Sequence, residues 1–151
     1  MEKVESPNIR AARAKDLPAL LALYRQLNPD DPVLPEAEAG ARFAEILAHP
    51  GTTIFIACVD GVAVSSVSLV VIPNMTRGGQ PYALIENVVT HANHRQRGHG
   101  RALIDTAVAS AWDLGCYKVM LLTGSTEPAT LRFYANCGFS QNKTGFQIRR
   151  T

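Results

Sequence analysis

Arg95, Arg97 and Arg101 surround Gly98 and Gly100 in the stretch "THANHRQRGHGRALI". The two glycines are two residues apart, between an apolar run and a segment with helical periodicity. Lacking Cβ atoms, they let backbone amides turn toward one point and approach a ligand closely. A helix starting there adds unpaired N–H groups and the positive end of its dipole. That combination suits an anion, pyrophosphate above all. An ordinary solvated turn is the plain alternative. His91, His94 and His99 lie in the same stretch without convincing metal-ligand spacing, so they are expected at the loop surface or as neighbours of a phosphate.

Two familiar phosphate loops do not fit. A Walker A loop needs G-x-x-x-x-G-K-[ST], and no such lysine follows here. A dinucleotide fingerprint needs a third glycine where Leu103 stands, and an acidic residue about 20 residues on. Nucleic-acid binding calls for a broader basic surface and stacking aromatics. Here the net charge is +2 and aromatics are 7%. What remains is R-x-x-G-x-G, Arg95 to Gly100.

The elements around this loop follow from local pattern. "NIRAAR" reads as a first strand. Asp16 then caps a helix whose apolar face holds Leu17, Leu20, Leu21, Tyr24 and Leu27. "NPDDPVLP" breaks that helix. Pro35 opens a second one, with Ala37, Ala41, Ala44 and Leu47 at helical spacing, stopped by "HPG". "TTIFIACV", "DG" and "VAVSSVSLVVI" form a β-hairpin, because Asp-Gly supplies the positive φ angles of a two-residue turn. "YALIENVV" is a third β run. After the basic loop, a helix from His99 to Leu114 aligns Leu103, Ala107, Ala111 and Leu114, and Gly115 stops it. "YKVMLL" is a strand, Pro128 to Asn136 a short helix, and "GFQIRR" a last strand. The order β-α-α-β-β-β-α-β-α-β is that of an α/β domain with a mixed sheet, spanning residues 1–151 without repeat or linker.

Composition sets the wider frame. Hydrophobic residues are 46% and charged residues 19%, enough for a packed core. Cys58, Cys116 and Cys137 are odd in number and widely spaced, which argues against a disulfide framework or a zinc site and for a reducing, cytoplasmic setting. The polar N-terminus has no apolar signal core, and no apolar run approaches the ~20 residues that span a membrane. Neither a membrane nor a nucleic acid is expected as a partner, and no metal.

The Arg95–Gly100 pattern resembles the acetyl-CoA pyrophosphate loop of the GNAT acetyltransferase family, and "LRFYANCGF" resembles that family's "FY…GF" segment. Order and spacing agree over residues 8–150. The resemblance implies a mixed, mostly antiparallel sheet flanked by helices, with two parallel central strands that splay apart. Those strands are "IENVV" and "YKVMLL". It implies that the backbone of Val88 and Val89 pairs with the pantetheine arm of acetyl-CoA. The segment Gln96, Arg97, Gly98, His99, Gly100 and Arg101 would hold the pyrophosphate through its amides, with Arg95 adding charge. The N-terminal helices and the loop near residues 73–81 would line the acceptor side.

Acetyl transfer to an amine sets its own demands. A lysine-like amine with pKa ~10.4 must lose a proton before it attacks the thioester. The tetrahedral oxyanion needs a donor. The departing thiolate, pKa ~8.5 if cysteine-like, gains from a proton. The resemblance puts Tyr134 beside the sulfur as the acid; otherwise it is a core aromatic paired with Phe133. Glu86 is the candidate base through water, or else an ordinary strand carboxylate. The amide near Val88 is the candidate oxyanion donor. Glu127 stands seven residues before Tyr134, where many relatives have an asparagine that contacts the cofactor.

"IENVV", "RGHGRALI", "GCYKVML", "FYANCGF" and "IRR" are further similar to segments of glucosamine-6-phosphate N-acetyltransferases, with Asn87 in place of their aspartate. This suggests an amino sugar phosphate as the small-molecule acceptor, with Glu86 and Asn87 near the amine. Arg149 or Arg150 would meet the phosphate unless they belong to a solvated tail. Other amines, including a peptide N-terminus, stay open, as does a non-catalytic CoA-binding module. The resemblance also implies a homodimer, formed through the C-terminal strands.

Overall fold

A computed structural model describes residues 6–151. In chain order the elements are β1 (Asn8–Ala11), α1 (Leu17–Leu27), α2 (Glu36–Ala48), β2 (Thr52–Val59), β3 (Val62–Ile72), β4 (Tyr82–Thr90), α3 (His99–Asp113), β5 (Val119–Leu121) and α4 (Pro128–Asn136). The strands form one sheet in the order β1-β2-β3-β4-β5. The first four run antiparallel to their neighbours, and β5 is parallel to β4. The β2–β3 hairpin turns on Asp60 (φ 51°) and Gly61 (φ 77°), the positive-φ pair that Asp-Gly predicts.

Each face of the sheet buries its own core. Val67, Leu69, Ala83 and Ile85 pack with Leu103, Ile104, Ala107 and Ala111 of α3 on one face. Leu20 of α1 and Phe43 of α2 pack with Ile54, Ile56 and Cys58 on the other. Small alanines on α3 let that helix lie close to the strands. Gly115 (φ 83°) ends the helix as expected, and Leu114 falls outside the buried stripe.

Several expectations need correction. In α1 the buried residues are Leu20 and Leu23, while Leu21 is exposed. In α2 they are Ala39 and Phe43, a stripe rotated away from Ala37, Ala41, Ala44 and Leu47. A single large ring, Phe43, outweighs four small or peripheral side chains in choosing which face goes inward. Asp16 does not cap α1 with its side chain. Its carboxylate instead accepts two hydrogen bonds from Arg10, at 2.7 and 2.9 Å, and one from the Arg13 N–H at 2.7 Å. "YKVMLL" shortens to the three residues of β5, and "GFQIRR" forms no strand. β5 is too short to template a further ladder along its outer edge. Phe146 and Ile148, 92% and 98% exposed, find no second face to bury them.

Candidate active site

The β4–β5 ladder runs only from Ala83↔Val119 to Ile85↔Leu121. Beyond it β4 continues to Thr90 with no strand on that side among the described residues. The two strands therefore part, as expected, and leave a cleft of about 490 Å³ through the plane of the sheet. Val88, Val89 and Thr90 form one wall; Ala129, Thr130 and Phe133 of α4 form another. Gln26 and Leu27 of α1 and Arg95 complete it.

A β-bulge shapes the β4 wall. Ser66 pairs with Val89 and Ser68 with Glu86, so Asn87 and Val88 together face the single residue Val67. Asn87 takes the extra turn at φ 51°, a region that asparagine tolerates better than most residues. Ser65 Oγ donates to the Val89 carbonyl at 2.9 Å and lies 2.8 Å from Thr90 Oγ1, which anchors the strand just past the bulge.

The basic loop follows directly. His91 Nδ1 accepts from the Asn93 N–H at 3.1 Å, and Gln26 Oε1 accepts from the Ala92 N–H at 2.9 Å. Arg95 Nε donates back to the Thr90 carbonyl at 3.3 Å. Gln96 (φ 62°) and Gly98 (φ 83°) both take left-handed backbone. The first bond of α3 runs from the Ala102 N–H to the Gly98 carbonyl, so the amides of His99, Gly100 and Arg101 precede the helical ladder. At Gly100 an added Cβ would stand 3.3 Å from Phe133 Cζ and 3.6 Å from Thr90 Oγ1. A side chain here would press on Phe133, where loop, strand and α4 converge. The side chains of Arg95, Gln96, Arg97 and Arg101 are exposed around these amides.

His99 corrects an expectation. Its side chain is 4% exposed and belongs to the interior rather than to the loop surface. Its Nδ1 and that of His94 are buried without a hydrogen-bond partner among the described residues. Desolvation, then the charges of His94 and Arg97, hold the His99 pKa below its usual value.

The remaining predicted residues are distributed unevenly. Tyr134 is half-buried on α4, edge-on to Phe133 (5.1 Å between centroids) and to Phe139 (6.4 Å). Burial, with Cys137 adding to it, pushes its phenol pKa up. The α4 aromatic on the cleft wall is Phe133, with Tyr134 the next residue. Glu86 and Asn87 are exposed at the bulge. Glu127 is exposed, and its carbonyl accepts from the Thr130 and Leu131 N–H groups at the start of α4. Arg149 is exposed on the tail, where its Nε meets Gln147 Oε1 at 3.5 Å, and it is not part of the cleft wall.

A polar group on the α1 side was not foreseen. Tyr24 packs on the sheet face that carries Ser66 and Ser68. Burial raises the phenol pKa, and the two serine hydroxyls only partly offset it. Ser66 Oγ is buried without a hydrogen-bond partner among the described residues. The legible trace is "VSSVS", hydroxyls recurring in a strand that is otherwise apolar.

Comparison with known proteins agrees with this geometry. The model of the acetyltransferase (GNAT) family matches residues 19–139. A glucosamine 6-phosphate N-acetyltransferase of Trypanosoma brucei brucei is 33% identical over 150 residues, covering 98% of this chain and 99% of the relative. A glucosamine 6-phosphate N-acetyltransferase 1 of Oryza sativa subsp. japonica is 32% identical over 140 residues, covering 89% and 82%. Among solved structures, a putative acetyltransferase from Agrobacterium tumefaciens str. C58 superposes with a TM-score of 0.92 at 55% identity, covering 95% of this chain and 99% of that one.

Proposed function

The chain belongs to the acetyltransferase (GNAT) family and is an N-acetyltransferase; from that premise we propose that it moves the acetyl group of acetyl-CoA to a primary amine of a small molecule, with an amino sugar phosphate the first candidate. The observation that carries this reading is the cleft where β4 leaves β5, with the open N-terminus of α3 beside it. A pyrophosphate fits the amides of Gln96, Arg97, Gly98, His99, Gly100 and Arg101, and the guanidinium groups of Arg95, Arg97 and Arg101 add positive charge. The unpaired edge of β4 at Val88 and Val89 suits an extended amide-bearing arm, which pairs as an added strand does.

In this reading the amine nitrogen attacks the thioester carbon, the carbon–sulfur bond breaks, and the amine gives up one proton. The Val88 N–H, at the bulge, donates to the developing oxyanion. Tyr134 protonates the departing thiolate; a phenol is protonated at neutral pH, and burial raises its pKa further. Glu86 takes the amine proton through water, and Asn87 and Arg149 contribute acceptor contacts. The names of the curated relatives support the amino sugar phosphate. We further propose a cytoplasmic setting and a homodimer, in which the whole chain acts as one unit.

A non-catalytic CoA-binding module is the second reading, favoured by Glu127 in place of the usual asparagine. One experiment separates the two: CoA release from acetyl-CoA over a panel of primary amines that includes glucosamine 6-phosphate. We expect turnover with at least one amine, and a fall in kcat of about 100-fold in Tyr134→Phe with acetyl-CoA binding retained. Turnover that survives the substitution removes the acid role of Tyr134. Absence of turnover, with acetyl-CoA binding intact, favours the non-catalytic module.

A further inference from the structure

We propose that Tyr24 is an acceptor-binding residue that presents its phenol to a hydroxyl next to the acceptor's amine. The inference rests on the acetyl-transfer reading and names the acceptor class within it: a primary amine flanked by a hydroxyl.

Placement comes first. Leu20, Tyr24 and Leu27 succeed one another on one face of α1, spaced as side chains that neighbour each other on a helix. Leu20 is in the core and Leu27 is on the cleft wall. Tyr24 stands between them, half-buried. On the sheet, Ser66 and Ser68 share the face that α1 covers, and their β4 partners are Val89 and Glu86. Tyr24 packs against the core of that same face, and both serine hydroxyls act on its phenol. The cleft passes through the sheet from α4 to α1. An acetyl donor seated along β4 thus leaves the α1 side for the acceptor.

The chemistry comes second. The rest of this face is apolar, with Leu20, Phe43, Ile54 and Ile56 in its core. A phenylalanine would pack there as well as tyrosine does. Three hydroxyls instead share this face, and one of them, Ser66 Oγ, is buried without a hydrogen-bond partner among the described residues. The group therefore has hydrogen-bonding capacity that the protein does not consume. The Tyr24 phenol is neutral at physiological pH, as an ordinary phenol is, and burial raises its pKa further. A neutral donor–acceptor matches an alcohol better than a carboxylate or a phosphate, and Glu86, across from Ser68, supplies negative charge for the ammonium form of the amine.

The test is steady-state kinetics of the full chain and of Tyr24→Phe, with glucosamine 6-phosphate, glucosamine and hydroxyl-free amines such as 2-aminoethyl phosphate as acceptors. The variant keeps the ring and loses one hydrogen bond. We expect kcat/KM for the hydroxylated amines to fall about tenfold, mainly through KM, with the KM for acetyl-CoA and the melting temperature unchanged. Ser68→Ala, which removes the group that orients the phenol, gives a smaller loss in the same acceptors. Equal kcat/KM in wild type and Tyr24→Phe overturns the inference and leaves acetyl transfer standing. So does a parallel loss of melting temperature or acetyl-CoA affinity, which marks a structural tyrosine, and so does turnover confined to hydroxyl-free amines. Absence of turnover with every amine removes the acetyl-transfer reading, and the acceptor role of Tyr24 with it.

Discussion

The Asp16 carboxylate joins β1 to the start of α1 through three hydrogen bonds, two from Arg10 and one from the Arg13 backbone. Those donors favour the charged form and lower its pKa from 3.8 to about 2, while burial acts the other way. A carboxylate with a depressed folded-state pKa stabilises the fold fully above its unfolded pKa. That contribution is lost as pH falls through the interval from 3.8 toward 2. We expect Asp16→Asn to cost about 2 kcal/mol at pH 7, by denaturant titration, and the gap to wild type to close between pH 4 and pH 2. A gap that stays constant over that range would show that the carboxylate's charge is not what matters. At this scale the sequence is a fair guide to residue types and a poor one to partners. Asp16 stands in a cap position by its type and spacing, but a guanidinium six residues earlier is the stronger partner, and nothing in local pattern reveals that pairing.

At the scale of elements, the site is made where three backbone segments meet: the end of β4, the loop from His91 to Gly98, and the first turn of α3 packed on Phe133. Gly98 and Gly100 act there for different reasons. Gly98 has a φ of 83° with open space around it, so Gly98→Ala strains only the backbone, by about 1–2 kcal/mol. Gly100 is helical, but its position is crowded. Gly100→Val drives a branched side chain against Phe133 and Thr90 and distorts the wall of the cleft. We expect calorimetry to show acetyl-CoA binding weakened at least tenfold, roughly 1.4 kcal/mol, in Gly100→Val, and thermal melts to show that most of the Gly98→Ala cost falls on stability. The glycines, the α3 stripe Leu103–Ala107–Ala111 and the Asp60-Gly61 turn were all legible, because each follows from one residue's conformational range or one period. The bulge was not. It depends on the register between β3 and β4, which no single strand encodes. Tyr24 was read as one more apolar position on α1, because periodicity reports which face is buried and not what that face meets.

The whole molecule is a sheet with one incomplete edge. β1 closes one side, and β5, three residues long, closes the other. Beyond α4 the last residues run on without ladder bonds; Gly145 lies so close to Leu122 that a Cβ there would stand 2.6 Å from Leu122 Cδ2. Phe146 and Ile148 have the two-residue spacing that puts side chains on one face of an extended chain, and both are almost fully exposed, as is much of Leu122. Burying two such side chains recovers about 1.5–3 kcal/mol each, and a symmetric pair of tails doubles that gain. A second copy of the chain is the occupant proposed above. Size-exclusion with light scattering should then give twice the 16.3 kDa of one chain at micromolar concentration. Phe146→Ser with Ile148→Ser should move the mass to that of a monomer without unfolding the core, since neither residue packs against either hydrophobic cluster. Wild type that scatters as a monomer at that concentration removes the homodimer. A double variant that stays dimeric keeps the homodimer but assigns it to another face.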